Sequence, residues 1–472
     1  MKCRFLLAAG LMLSFSACMV GPRYQRPSIT VPTVYGEALP AGWKPSRPDD
    51  AIPRGKWWEA YHDPPLNALE DQVSISNQNV LAAEAQYREA LDAIRIARAA
   101  LFPTLKASPA VSGSQTPAAI NPFSTGASAL YSIPLAISYE ADVWGSIRRT
   151  VAANRATAQA TAAQLENARL LYQSDLAAGY FQYRGALAVR RLLTDTVQSY
   201  EQYLQLTRDR YASGVASMGD VAQARTQLET TRAALTDLGV QIAQLRHAIA
   251  VLAGKVPAGF SIPLHPLPAN PPEIPVALPS ALLERRPDIA AIERQVAAAN
   301  EQIGIAQAAL YPTISLSAGA GSESATFLKI LTASSYFWSA GGELAQTLFD
   351  RGRRRAQISL TRAAYDAIAS NYRQTVLTAF QQVEDELAAL RILEEEAAVQ
   401  ERAVAASQQS LQISTAQYQG GVQSYLQVIT SQTFALQNQV AAVDIRTRRL
   451  VASVLLIQAL GGGWDTSQLP AT

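Results

Sequence analysis

Two periods of apolar and polar residues alternate along this chain. From Ser146 to Tyr211 apolar side chains recur at spacings of three and four, at Leu176, Tyr180, Tyr183 and Leu187 and again at Val197, Tyr200, Leu204 and Tyr211, with no proline and only two glycines. Such a stripe is the seam of a helix that pairs with neighbours. About 65 helical residues at 1.5 Å each reach roughly 100 Å, beyond any globular core. Elsewhere the period falls to two. Tyr131, Ile133, Leu135, Ile137, Tyr139 and Val143 alternate with Ser132, Pro134, Ala136, Ser138, Glu140 and Asp142, which predicts a strand with one apolar and one polar face.

The same order of elements occurs twice. "ARAALFPTLKASPAVSGS" from Ala97 returns as "AQAALYPTISLSAGAGS" from Ala306, and "RYASGVASMGDV" from Arg210 returns as "QYQGGVQSYLQV" from Gln417. In each half a helix (Leu66 to Phe102; Pro279 to Tyr311) stops at a Leu-aromatic-Pro turn, because proline cannot continue it. A first strand follows, with Leu105, Ala107 and Val111 against Thr104, Lys106 and Ser112, or Ile314, Leu316 and Ala318 against Thr313, Ser315 and Ser317. The second strand of the second half carries Tyr336, Trp338 and Ala340 in one phase and Ser335, Ser339 and Glu343 in the other. Basic junctions, "WGSIRR" and "FDRGRRR", lead into the long helices, which predicts a structural role at the watery rim of a barrel. The long helices end at Gly214-Val215 and Gly420-Gly421-Val422, where glycine permits the left-handed turn into a returning helix.

Strands of about ten residues with one apolar face suit a membrane β-barrel, with a soluble antiparallel sheet as the alternative. Four strands cannot close a barrel, and open edges in lipid leave backbone groups unpaired, so a membrane reading requires several chains to share one barrel.

The N-terminus adds an address. Lys2 and Arg4 precede an apolar run, Phe5 to Phe15, and Ser14 to Ala17 lead to Cys18, the form of a signal peptide. Small residues before Cys18 resemble a bacterial lipoprotein cleavage site, with an ordinary secretory signal as the alternative. Met19 follows in place of the aspartate that retains lipoproteins in the inner membrane, so the outer membrane is expected. Of two cysteines, Cys3 and Cys18, only Cys18 outlasts the signal, which excludes an intrachain disulfide. The formal charge of +2, with Lys and Arg scattered, argues against nucleic acid as a partner. His62, His247 and His265 lack metal-ligand spacing, no nucleophile arrangement or phosphate loop is present, and neither enzyme chemistry nor a cofactor is expected. The expected division is 1–17 signal, 18–65 lipidated extended segment, 66–256 first repeat, 257–279 Pro-rich linker, 280–463 second repeat and 464–472 tail.

The chain resembles the TolC-like outer membrane factors, in the lipoprotein branch that serves tripartite efflux pumps. The resemblance rests on Val20-Gly21-Pro22 with Tyr24 and Arg26-Pro27, Trp57-Trp58 with Asp63-Pro64 and Leu66, Arg285-Arg286-Pro287-Asp288-Ile289, both Leu-aromatic-Pro turns and both glycine tips. It implies a mainly α fold with a membrane β part: a homotrimer with a shared 12-stranded β-barrel, four strands per chain, continued by a long α-helical periplasmic barrel. It implies a passive exit duct that meets a periplasmic membrane-fusion adaptor and an RND-type inner-membrane transporter, held in outer-membrane lipid by Cys18. The tips at Gly214, Val215, Ser217 and Gly421, Val422, Ser424 would meet the adaptor. Leu426 matches an apolar ring at the periplasmic mouth. Thr430 and Thr433 stand where relatives carry charges, leaving Asp220 and Arg225 as candidate charged contacts at this gate. A duct for type I protein secretion shares this architecture, and a lipid-anchored coiled-coil scaffold would explain the long helices but not the strands.

Overall fold

A computed structural model of the chain describes residues 19–38, 56–115, 117, 119, 127–276, 279–464 and 466–470. The signal peptide and Cys18 lie outside these residues. The first half runs α1 (Pro64–Ser76), α2 (Gln78–Ala99), β1 (Thr104–Ala107), β2 (Ala110–Gln115), β3 (Ala127–Glu140), α3 (Ser146–Ala212) and α4 (Met218–Leu252). The second runs α5 (Leu282–Arg285), α6 (Pro287–Ala308), β4 (Thr313–Ser324), β5 (Tyr336–Ala345), α7 (Arg353–Gln419) and α8 (Tyr425–Ala459). Helices α3 and α7 each have 67 residues and α4 and α8 each have 35.

Both helices expected ahead of the strands are broken. Asn77 leaves α1 with extended backbone (φ −67°, ψ 120°), and its Oδ1 accepts from the amides of Asn79 and Val80, opening α2. Its Nδ2 donates to the Leu252 carbonyl at 2.9 Å, so the break is tied to the end of α4. Arg286 breaks the second, with Pro287 at the first position of α6, where its missing N–H costs nothing. The Arg286 guanidinium donates to Asp288 and to the Ala459 carbonyl at the end of α8.

The strands form one antiparallel sheet in the order β1/β2, β3, β4, β5. β1 and β2 share one register against β3, so they are a single strand interrupted at Ser108-Pro109, opposite Ile133-Pro134. Two prolines remove two ladder donors there. The apolar phases coincide across the sheet: Leu135 pairs with Ala107 and Ala320, Ile137 with Leu105 and Ala318, Tyr139 with Leu316, and Ala320 with Trp338. The opposite face carries Ser138 beside Thr104 and Ser317, and Ser315 between Glu140 and Glu343. β3 stops at Glu140, short of Val143, because the Asp142 carboxylate turns away to accept from the Ile147 and Arg148 amides, capping α3.

The main core lies at the waist, where Trp57, Trp58 and Tyr61 pack with Tyr180, Phe181, Leu387 and Leu456. Within it Asp63 caps α1 through the Leu66 amide, accepts from the Tyr180 hydroxyl at 2.9 Å and faces Arg184 at 3.4 Å. Arg184 also donates to the Pro266 carbonyl, so one buried ion pair holds the Pro-rich linker to the waist. Removing either partner would leave an uncompensated buried charge.

Candidate functional site

The two hairpin tips close by the same backbone device. In the first, the Gly214 amide bonds the Tyr211 carbonyl and Val215 bonds Arg210; in the second, Gly421 bonds Tyr418 and Val422 bonds Gln417. Gly214 (φ 77°) and Gly421 (φ 74°) take the left-handed conformation, whereas Gly420 has ordinary helical dihedrals. The turns push Val215 and Val422 outward, the latter 77% exposed.

The helices returning from the tips start differently. Ser217 Oγ accepts from the Asp220 amide at 3.1 Å and the Asp220 carboxylate accepts from the Ser217 amide at 2.9 Å, a reciprocal capping box. Ser424 occupies the matching N-cap position without a side-chain bond. Asp220, read from sequence as a charged gate contact, is therefore engaged in capping its own helix. Arg225 is exposed and makes no ion pair among the described residues.

On α8, Leu426 is 58% exposed, and Thr430 and Phe434 share its face at successive fourth positions. Thr430 returns its hydroxyl to the Leu426 carbonyl. Thr433 turns toward α4 and accepts from Gln227 at 3.3 Å. These residues thus separate into an outward strip with two large apolar side chains and an inward polar contact. Phe434 is legible in hindsight from helical spacing alone.

Sequence reasoning missed Arg210. Its Nη1 donates to the Tyr418 carbonyl at 2.7 Å, and its guanidinium lies 4.5 Å from the Tyr418 ring centroid. Tyr418 packs against Tyr425 in a small core with Tyr200, Leu204 and Leu228. Arg210 thereby fastens the first tip to the second. Its repeat twin is Gln417, and that difference between the repeats was the only sequence signal.

At the other end, the N-terminal segment is strapped to the strand-to-helix junction. The Val20 amide donates to the Trp144 carbonyl, and buried Arg149 donates to the Val20 and Pro22 carbonyls and pairs with Glu301 at 2.6 Å. Gly21 (φ 116°) crosses so close to Gly304 that a Cβ would stand 2.6 Å from its Cα. The Val-Gly-Pro motif is thus a packing device. Farther along, Arg26 bonds the Tyr372 hydroxyl, and Glu384 accepts from the Gly36 and Glu37 amides.

No helix among the described residues is long and apolar enough to cross a membrane, and no group of His, Cys, Asp and Glu among them could hold a metal ion.

The outer membrane efflux protein model matches residues 69–255 and 278–462. Over 452 residues the chain is 31% identical to the probable efflux pump outer membrane protein TtgC of Pseudomonas putida, covering 95% of this chain and 93% of the relative. Over 466 residues it is 32% identical to outer membrane protein OprJ of Pseudomonas aeruginosa, covering 96% and 95%. The solved structure of the outer-membrane channel OprN superposes with a TM-score of 0.85 at 27% identity, covering 95% of this chain and all of that one.

Proposed function

The chain belongs to the outer membrane efflux protein family and is an outer-membrane exit duct of an efflux pump; on that premise we propose how its parts divide the work. Three copies close a 12-stranded barrel, and the long helical hairpins of the repeats, 66–256 and 280–463, extend it into the periplasm as a passive conduit for small molecules. The observation that carries this is the four-strand sheet, apolar on one face and, among the described residues, unpaired at both edges, above two helices of 67 residues each. In lipid each unpaired edge group costs several kcal/mol, so sheet edges of neighbouring copies must meet. The sheet face with Ser138, Ser317 and Glu343 lines the lumen.

The tips dock a periplasmic adaptor that couples the duct to an RND-type transporter, with Val215 and Val422 as the leading contacts. Leu426 and Phe434 narrow the mouth by packing, and Arg210 holds the tips together. Val215→Cys and Val422→Cys should each cross-link to cysteines on the adaptor's helical hairpin; absence of cross-links at both tips with a functional pump would refute the docking assignment. Leu426→Ala should raise single-channel conductance while Asp220→Asn leaves it near wild type; the reverse pattern would assign the gate to charge.

Cys18 carries the lipid anchor. Met19 packs on Gly145 beside Trp144, at the foot of the strands, which supports an anchor near that end of the chain. Cells fed radioactive palmitate should label the protein, and Cys18→Ala should abolish the label.

A further inference from the structure

Just below the apolar sheet face the chain turns basic. α7 opens with Arg353, Arg354 and Arg355, preceded by Arg351, and has no acidic residue in its first turn. α2 closes with Arg98 in its last turn. Large apolar side chains lie between these arginines and the strands: Leu348 and Phe349 are 92% and 85% exposed, and Phe102 stands free after α2. Trp144 and Tyr311 stack at the same junctions, with centroids 4.7 Å apart.

Of these arginines only Arg354 is matched, by Asp350 at 2.7 Å and by the Ala309 and Thr347 carbonyls. Arg98, Arg351, Arg353 and Arg355 are exposed and make no ion pair among the described residues. Two features of this arrangement are unfavourable within the chain. Cations in the first turn of a helix meet the positive end of its dipole. Arg351 is also one of two non-glycine residues with positive φ among the described residues, at 52°, a conformation costly for a long side chain. Asp350 accepts from the Gly352 and Arg354 amides and offsets part of the first cost, but Arg351, Arg353 and Arg355 meet no counterion among the described residues.

We propose that this tier binds the phosphates of anionic phospholipid headgroups in the inner leaflet of the outer membrane. The inference rests on the duct reading, in which the apolar sheet face lies in hydrocarbon. The vertical order on the molecule, apolar strands, then exposed aromatics, then arginines, is the order of hydrocarbon, interface and phosphate in a bilayer. Arginine suits the last layer because its planar fork bonds phosphate oxygens bidentately while its stem stays on apolar surface. Phosphates beside the first turn of α7 would add to the Asp350 carboxylate in offsetting the dipole repulsion.

The test uses the full-length protein in mild detergent, titrated with phosphatidylglycerol and with phosphatidylethanolamine and read by native mass spectrometry. Wild type should prefer phosphatidylglycerol by about tenfold or more, and Arg351→Gln/Arg353→Gln/Arg355→Gln should reduce this to about twofold, given the attraction expected per arginine near an anionic surface. Arg191→Gln/Arg402→Gln, exposed positions along the tube, should keep the wild-type preference. A wild type without preference, or a preference that survives the triple substitution, would overturn the proposal. Loss of the oligomer in the triple variant would assign the arginines to the subunit interface and overturn it as well. Channel recordings in phosphatidylethanolamine bilayers separate the two readings: conducting wild type without headgroup preference overturns the lipid site alone, whereas no conductance overturns both.

Discussion

At the residue scale, the adjacent glycines of the second tip have different reasons to be there. Gly421 is left-handed, and an alanine would cost about 1–2 kcal/mol. Gly420 has helical dihedrals, and a Cβ there would make ordinary contacts of 3.5 Å or more. Gly421→Ala should therefore lower the thermal midpoint, while Gly420→Ala should leave it unchanged or raise it by up to about 1 kcal/mol in stability; equal losses at both sites would refute this account of the turn. The requirement for a glycine turn was legible in the sequence. Which glycine met it was not, because that depends on where α7 stops. Glu386 supplies a pH test. It is half-buried on α7, lining a cleft with Gln182, Gly185 and Asp444, and burial followed by repulsion from Asp385 pushes its carboxyl from 4.5 up to about 7. Between those values the folded chain keeps a proton that the unfolded chain has released. This group's contribution is thus present below pH 4.5 and lost as pH rises to about 7. Denaturation profiles of Glu386→Gln should show that slope flattened, and an unchanged slope would show that other groups dominate.

At the scale of elements, the helix starts show how pattern and packing divide the outcome. The Ser217-x-x-Asp220 spacing suits a capping box, yet Asp220 with Arg225 also invites an ionic reading, and only hydrogen-bond geometry selects between them. Ser217→Ala should cost about 1 kcal/mol and speed amide exchange in the first turn of α4. Ser424→Ala should have a smaller effect, since no side-chain bond is lost. The strands were legible in phase because a period of two leaves no freedom about which residues share a face. Their ends were less so: Asp142 continues the alternation on paper but caps α3 in the fold. The break at Asn77 escaped the periodic reading because one capping residue barely disturbs a stripe that continues on its far side.

At the scale of the whole molecule, the oligomer follows from unpaired sheet edges. Light scattering of detergent-extracted protein, corrected for bound detergent, should give the mass of three chains. A monomer would leave β1/β2 and β5 as bare edges and refute the shared barrel. The sequence by itself determined the repeat, the reach of the long helices, the two faces of every strand and the turns at the tips. All of these follow from local periodicity and from what proline and glycine permit in the backbone. Only the tertiary structure decided that Arg210 of one hairpin grips Tyr418 of the other, that Arg149 and Arg286 act as clamps on distant carbonyls, and that Arg353 and Arg355 at the start of α7 meet no ion-pair partner among the described residues while Arg354 meets Asp350. Those assignments depend on which charges meet across some 130 to 210 positions of chain, or fail to meet, and no periodicity encodes such a meeting.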